Sequence, residues 1–442
     1  MKKIISTFVG LFASLFMLSS TAHAIEIQVV KSDTGVTAWL VEDHSNPLIA
    51  MRFSFKGGST SDPDEKLGMS DFLSGMLDEG AGDIKSTEFQ QIISDLSIKM
   101  SFSAKQDRFN GSLQTLTENR DKAFSMLKLA LTSPRMDAAP YARMLQQNLV
   151  GLKTDKENPR TIVSRAWLKT MVGNHPYARP KTGTEVTLKN ITAQDLKDKA
   201  KMLFTRDDLL IAVTGDIDAK TLKKLLDDTF GSLPAKSSVP SITDASVNTK
   251  AMVQIIDRNM PQSVIQFGQP GIKRLDKDFI PGYIVFHILG SGQFSSRLME
   301  EVREKRGLAY SAYATLFPMD HAGLVLGSTA TVNARVGETV KVIRDEFARM
   351  QKDGPTQKEL DEAVAYLTGA YALRFDTNSK IAGQLLGTMT ARSGIDYIKN
   401  RNALIRAVTL ADVKRVAKRI LKADQLTFTI IGKPEGVTAT TN

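Results

Sequence analysis

Few side chains in this sequence could carry catalytic chemistry. The chain has 442 residues, with no cysteine and five histidines. Disulfides and thiolate metal sites are therefore excluded, and any metal ligand must be His, Asp or Glu. Beyond residue 24 the histidines are His44, His175, His287 and His321, and no two of them lie within five positions of each other. We expect no local metal motif, although a site assembled from distant residues stays open. We expect His287 to be a hydrogen-bonded core residue and His175 to shape a loop.

Arg303 and Tyr310 lie on either side of a predicted chain reversal. The pattern predicts a helix over Ser295–Lys305, a stop at Gly307 and a strand over Leu308–Leu316. Such a reversal can bring two residues seven positions apart side by side. Judged alone, each has an ordinary interpretation, as a solvated helix arginine and a half-buried strand tyrosine.

The elements that would position these residues form two similar series. Strands are predicted over Val36–Val41 and Leu48–Phe55, followed by a helix over Gly68–Leu77. Later in the chain, a strand is predicted over Val264–Gly268 and a buried helix over Pro281–Leu289. Strands followed by helices, twice over, predict an α+β fold of two lobes, each a mainly antiparallel sheet with helices packed on one face.

An internal repeat supports a duplicated domain. The segments Thr192–Gly215 and Thr409–Gly432 align without a gap at an offset of 217, with eight identities in 24 positions. Chance similarity between two helix–strand units is the alternative. The stretch Leu233–Thr249 is rich in Pro, Ser and Thr and predicts an exposed linker. We therefore expect an N-terminal domain over residues 25–233, a linker over 234–250 and a C-terminal domain over 251–442, in a clam-like arrangement.

The N-terminus has the pattern of a cleavable secretory signal over residues 1–24. Lys2 and Lys3 precede an apolar run over Ile4–Leu18, and small residues stand at Ala22 and Ala24. A membrane anchor is the alternative, but the apolar run is short for a span of about 20 residues. We expect a periplasmic protein without stable membrane insertion. The net charge of +10 comes from interleaved basic residues, which predicts a solvated surface, and secretion argues against a nucleic-acid partner.

Three segments of the chain carry a resemblance to a known family. Gly57–Met76, His175–Thr184 and Leu289–Ser311 resemble motifs of the pitrilysin/insulinase family of zinc peptidases, the inverzincins. Active members carry H-x-x-E-H on the helix that follows the first strand pair, and a distal glutamate completes the zinc site.

The zinc motif itself is missing from the matching positions. The residues that stand there are Asp71, Ser74, Gly75 and Gly151, so the resemblance implies that the ligands and the catalytic base are lost. Asp71 alone cannot hold zinc and is expected to be an exposed helix residue. We therefore expect no cofactor on this chain.

The resemblance also implies a role for Arg303 and Tyr310. In the family, an arginine and a tyrosine of the C-terminal domain reach the facing zinc site and hydrogen-bond the substrate carbonyl as it becomes an oxyanion. Some members form pairs in which only one subunit holds zinc. The chain is thus expected to be the non-zinc subunit of a heterodimeric periplasmic metallopeptidase, inactive alone, with zinc on the partner and peptides as substrates. The alternatives are a pseudopeptidase that acts as a scaffold or peptide-binding module, and an independent hydrolase, for which the sequence shows no nucleophile elbow.

Overall fold

The first of two sheets is formed by residues before the predicted linker. A computed structural model describes residues 26–440, so the predicted signal lies outside the described residues. The strand order is β1-β2-β8-β3-β7-β6, with β1 (Gln28–Lys31), β2 (Thr37–Glu42), β3 (Leu48–Lys56), β6 (Lys99–Ala104), β7 (Arg108–Leu116) and β8 (Leu210–Gly215). A small hairpin, β4 (Gly80–Ala81) and β5 (Ile84–Lys85), lies apart from it. The two strands expected first in the chain are confirmed as β2 and β3.

The second sheet repeats the connectivity of the first. Its order is β11-β12-β10-β13-β9, with β9 (Val253–Asp257), β10 (Gln262–Pro270), β11 (Ala312–Pro318), β12 (Gly323–Val332) and β13 (Thr427–Gly432). In both sheets the last strand lies between a parallel and an antiparallel neighbour: β8 between β2 and β3, and β13 between β9 and β10. The expected α+β fold of two duplicated lobes is confirmed.

Helices cover these sheets in both lobes. In the first lobe they are α1 (Met69–Ser74), α2 (Ser86–Asp95), α3 (Arg120–Thr132), α4 (Ala138–Glu157), α5 (Pro159–Val172), α6 (Glu185–Asn190), α7 (Ala193–Leu203) and α8 (Ala219–Phe230). In the second they are α9 (Phe279–Phe286), α10 (Arg297–Met299), α11 (Val336–Asp353), α12 (Gln357–Gly369), α13 (Asn378–Thr390), α14 (Tyr397–Arg406) and α15 (Leu410–Ile420). Over residues 26–440, no helix has the combined length and apolarity that crossing a membrane requires.

The repeated segment has the same local design in both lobes. Thr192 and Thr409 each cap a helix, α7 and α15, in a capping box with the aspartate three residues later. Each following strand ends at a glycine with positive φ, Gly215 at 138° and Gly432 at 145°. A Cβ atom would approach the adjacent strand of the same sheet to 2.0 Å at Gly215 and to 2.3 Å at Gly432. This close approach explains why both copies of the repeat have glycine at that position.

Each lobe sends one helix onto the sheet of the other. Helix α5 of the first lobe packs on β10 and β13, and α13 of the second lobe packs on β3 and β8. Trp167 of α5 is 1% exposed and donates its Nε1 hydrogen to the Thr427 carbonyl at 3.3 Å. In the opposite direction, Arg52 Nη2 donates to Ser379 Oγ at 2.8 Å. The two lobes therefore complete each other's sheet surfaces.

Candidate functional site

Helix α1 stands where the family's zinc motif would lie. Loops from two of the segments that resemble the family hold it in place. It is shorter than predicted and ends at Gly75, but its expected apolar face, including Phe72, is buried. Gly68 precedes it with a φ of 92°, and a Cβ atom there would lie 2.8 Å from the Thr182 backbone. The small residue lets the loop of residues 175–184 approach the start of α1.

The residues at the matching positions do not fit a zinc site. Asp71 is half-buried, so the expectation of an exposed residue was wrong, and this burial raises its pKa. Ser74 donates its hydroxyl hydrogen to the Asp71 carbonyl at 2.7 Å. A Cβ atom at Gly75 would lie 2.9 Å from Met144 Sδ, and Gly151 is exposed on α4. Within the described range 26–440, no three His, Asp or Glu side chains are grouped so that they could hold a metal ion.

A buried ion pair anchors α1, and the sequence analysis missed it. Lys199 Nζ lies 3.0 Å from Asp62 Oδ1, and both side chains are fully buried. Asp62 also accepts hydrogen bonds from the Ser70 amide and hydroxyl. Burial lowers the pKa of Lys199, and the charge of Asp62 opposes this effect. The repeat carried a signal for this pair, because the buried Val416 stands at the position of the second lobe that corresponds to Lys199.

The chain reversal that carries Arg303 differs in detail from the prediction. The expected helix is present as α10, continued by a π-helical turn over Glu300–Glu304. Gly307 ends it with a φ of 56°, and its amide donates to the Arg303 carbonyl at 2.8 Å. The strand begins at Ala312 and not at Leu308, so the expectation that Tyr310 lies in a strand was wrong. The left-handed conformation of Gly307 reverses the chain before the strand begins, and Tyr310 lies in an exposed bend between the two.

The reversal does bring Arg303 and Tyr310 together, and it adds Phe294. The Arg303 guanidinium carbon lies 4.9 Å from the centre of the Tyr310 ring and 4.7 Å from that of Phe294. Cation–π attraction to both rings holds the guanidinium in place. Phe294 and Tyr310 are 63% and 82% exposed. The one sequence signal for Phe294 was an aromatic residue directly after a turn of small residues.

One donor atom of this arrangement has no partner. Arg303 Nη1 is buried, and within the described part of the chain it makes no hydrogen bond. Arg303 Nε lies 3.5 Å from Glu304 Oε1, which is a loose contact. Buried donors without a partner are rare in native proteins and call for an explanation.

The buried side chain of Glu301 stabilises the π-helical turn. Its side chain is 7% exposed and accepts hydrogen bonds from Lys305 and Arg306. Burial alone would raise the pKa of Glu301, but these hydrogen bonds outweigh it and lower the pKa to about 2. Arg306 is therefore an exposed residue that stabilises the turn next to Arg303.

The histidines occupy structural positions. His175 Nδ1 accepts a hydrogen bond from the Tyr177 amide at 3.2 Å, which confirms its role in shaping the loop. The Tyr177 hydroxyl donates to Asp107 Oδ2 at 2.6 Å and accepts from the His321 amide at 2.9 Å, across the lobe boundary. His287 is buried as expected and stacks on the Tyr366 ring, with ring centres 5.2 Å apart, but within residues 26–440 its ring makes no hydrogen bond, so that part of the expectation was wrong.

Comparison with known proteins gives matches over most of the chain. The family model "Insulinase (Peptidase family M16)" matches residues 38–185, and the model "Peptidase M16 inactive domain" matches residues 190–367. The non-peptidase homologue YmxG of Helicobacter pylori is 25% identical over 434 residues, 98% of either chain. The uncharacterized zinc protease YmxG of Bacillus subtilis is 24% identical over 372 residues, 83% of this chain and 89% of that protein.

Solved structures extend the match to the fold. A crystal structure of a peptidase M16 inactive domain from Pseudomonas fluorescens has a TM-score of 0.87 and 28% identity, covering 95% of this chain and 100% of that chain. A protease from Helicobacter pylori has a TM-score of 0.84 at 18% identity, covering 92% of this chain and 100% of that chain, and shares the fold. The chain therefore belongs to the insulinase family of peptidases, family M16.

Proposed function

We propose that this chain is the non-zinc subunit of a heteromeric zinc metallopeptidase, in which it closes the chamber and supplies Arg303 and Tyr310 to the partner's active site. The observation that carries the proposal is the buried Nη1 of Arg303 without a hydrogen-bond partner in residues 26–440, beside an exposed phenol. Leaving such a donor unpaired costs about 1–3 kcal/mol. An acceptor from outside this chain would recover that free energy.

The acceptor we assign is the carbonyl oxygen of a bound peptide as it becomes an oxyanion. Zinc on the partner would polarise that carbonyl, and the residues of this chain would add hydrogen bonds to the same oxygen. Phe294 and Tyr310 already hold the guanidinium, so only the atoms that cover Nη1 would have to shift for the oxygen to reach it. A preorganised oxyanion donor of this kind contributes about 3 kcal/mol to transition-state stabilisation.

The location and the domain limits belong to the same proposal. Residues 1–24 have the pattern of an export signal, with Lys2 and Lys3 before the apolar run and Ala24 at the cleavage site. We place the mature chain in the periplasm, with domains over residues 25–233 and 251–442. The conversion of extracytoplasmic peptides into smaller fragments would then be the shared activity of the two subunits.

A scaffold or peptide-binding role is the second candidate. The similarity to a protein named a non-peptidase homologue favours the scaffold role as much as it favours the role of a non-zinc subunit. A pure scaffold, however, has no chemical need for a buried, unpaired guanidinium nitrogen beside two exposed aromatic rings.

Reconstitution with a zinc-bearing homologue separates the two candidates. We expect the wild-type chain to raise the peptidase rate, and Arg303→Ala or Tyr310→Phe to lower the stimulated kcat about 100-fold, because each removes a transition-state donor. Co-elution of the two chains should be unchanged. Arg160→Ala, at an exposed position of α5, is the control and should stimulate fully. Variants of Arg303 and Tyr310 that co-elute and still stimulate fully would leave the scaffold role.

A further inference from the structure

A cavity of about 520 Å³ lies within the second lobe, away from the chain reversal that carries Arg303. The start of α9, the turn between β11 and β12, and helices α13 and α14 enclose it. Five basic side chains and a single acidic one line it, namely Lys273, Arg274, Arg374, Arg392, Arg401 and Asp320. Its volume falls in the range of small-molecule binding sites, about 300–1,000 Å³.

Arg401 is the most unusual of these residues, because it is a buried cation without a counter-charge. It is 5% exposed, and its Nη1 donates to the Leu367 carbonyl at 3.0 Å and to Asn402 Oδ1 at 3.1 Å. Its guanidinium lies over the Tyr371 ring, 4.2 Å from the ring centre. Within residues 26–440 no carboxylate forms an ion pair with it, and its Nε and Nη2, which are not fully enclosed, stay free to donate to a ligand.

Arg274 brings a second unpaired guanidinium to the same cavity. It lies 4.3 Å from the centre of the Phe279 ring and 5.5 Å from that of Tyr397, and its Nη2 donates to the Tyr397 hydroxyl at 3.2 Å. Lys273, in contrast, is neutralised by Asp244. The cavity thus combines two arginines fixed by aromatic rings with apolar walls, and an anion is the ligand that would complete its charge balance.

We propose that this cavity binds an organic oxyanion, a carboxylate or a phosphate attached to an aromatic group. The planar guanidinium of an arginine matches both oxyanions with paired hydrogen bonds, and the half-buried ring of Tyr283, which also lines the cavity, provides a stacking surface for the attached group. The proposal requires neither a partner subunit nor zinc, so it stands or falls separately from the role of Arg303.

Calorimetric titration of the mature chain alone tests the site with three probes. These are N-acetyl-Ala-Phe with a free carboxylate, the same dipeptide as its C-terminal amide, and phenyl phosphate. We expect the amide to bind at least about tenfold more weakly than the better of the two anions. Preference for the free acid would assign a peptide carboxylate as the natural group, and preference for phenyl phosphate would assign a phosphate ester. Equal binding of amide and anions, or no binding of either anion, would overturn the proposal.

Two variants locate the binding event. Arg274→Gln, at a half-buried position, and Arg401→Gln should each weaken anion binding by about tenfold or more. Arg406→Gln, exposed on the same helix as Arg401, should bind like the wild type. Circular dichroism checks the fold of each variant. If Arg401→Gln does not fold, Arg274→Gln decides alone, and unchanged affinity in that variant contradicts the assignment.

Discussion

Arginine side chains in the second lobe are held in two different ways, either by carboxylates or by aromatic rings. Arg297 pairs with Glu359 through two hydrogen bonds of 2.6 and 2.7 Å, which fix the start of α10. Arg419 bridges Asp276 and Asp278. Arg303 instead rests between two exposed aromatic rings, with a nitrogen left over. The first kind stabilises the lobe, and in our proposal the second keeps its hydrogen-bonding capacity for a ligand.

Lys199 gives a residue-scale prediction on stability. Lys199→Met leaves the Asp62 carboxylate buried without its cation, so we expect a loss of about 3–5 kcal/mol in the free energy of unfolding. Denaturant unfolding at pH 7 measures it. Lys201→Met, a change at a 77% exposed lysine of the same helix, should cost little. Adding Asp62→Asn to Lys199→Met should restore part of the loss; no recovery would contradict the ion-pair explanation.

The positions matching the zinc motif give a second prediction at this scale. Because Gly75 and Gly151 offer no donor atoms and Asp71 is a single carboxylate, we expect the purified chain to hold no stoichiometric zinc and to cleave no peptide alone. Metal analysis after dialysis, with a peptidase assay, measures both. One equivalent of tightly bound zinc together with chelator-sensitive cleavage would refute the expectation.

At the scale of elements, the π-helical turn shows where the sequence was sufficient and where it was not. Periodicity and the glycine stop predicted a helix followed by a reversal near Gly307, because both are local properties. The change to π-helical geometry over Glu300–Glu304 depends on the burial of Glu301 and on its bonds to Lys305 and Arg306. These features depend on how the turn packs on the lobe, so the π-helical geometry and the late start of β11 could not be predicted from the helical periodicity.

The other successes and failures follow the same division. The repeat at an offset of 217 predicted the shared lobe design, and the motif loss at Gly75 was visible directly in the sequence. The partial burial of Asp71 and the position of Phe294 against Arg303 arise from packing between segments distant in the chain. Pattern analysis of one sequence cannot supply such packing.

The turn gives a prediction on pH. The pKa of Glu301 is lowered from 4.5 to about 2 in the folded chain, so its contribution is fully present above about pH 4.5 and is lost as pH falls towards 2. We expect Glu301→Gln to be less stable than the wild type at neutral pH. The difference in unfolding midpoint between the wild type and Glu301→Gln should become smaller below about pH 4.5, because the wild type then loses the contribution of the Glu301 carboxylate. Glu362→Gln, at an exposed glutamate of α12, is the control, and a pH-independent difference for Glu301→Gln would contradict the pKa assignment.

At the scale of the whole molecule, the exchange of helices makes the two lobes interdependent. Helix α5 covers β10 and β13, and α13 covers β3 and β8, so each lobe alone would expose an apolar sheet face to water. The fit is close, because a Cβ atom at Gly268 of β10 would lie 1.9 Å from the Val325 carbonyl oxygen of β12 and 2.6 Å from the Trp167 ring. Glycine at this position therefore lets α5 lie directly on the second sheet.

This interdependence leads to a prediction for the separated lobes. We expect fragments of residues 25–250 and 251–442 to be poorly folded or aggregated when expressed alone, and to associate into a folded complex when expressed together, because association covers both sheet faces again. Size-exclusion chromatography and circular dichroism measure both states. Trp167→Ala should weaken the association by about 3–5 kcal/mol, the cost of truncating a buried tryptophan, whereas Lys169→Ala, exposed on the same helix, should not. Two fragments that fold independently and do not associate would show that the helices are accessory to each lobe, and the chain would then behave as two linked domains instead of one cooperative unit.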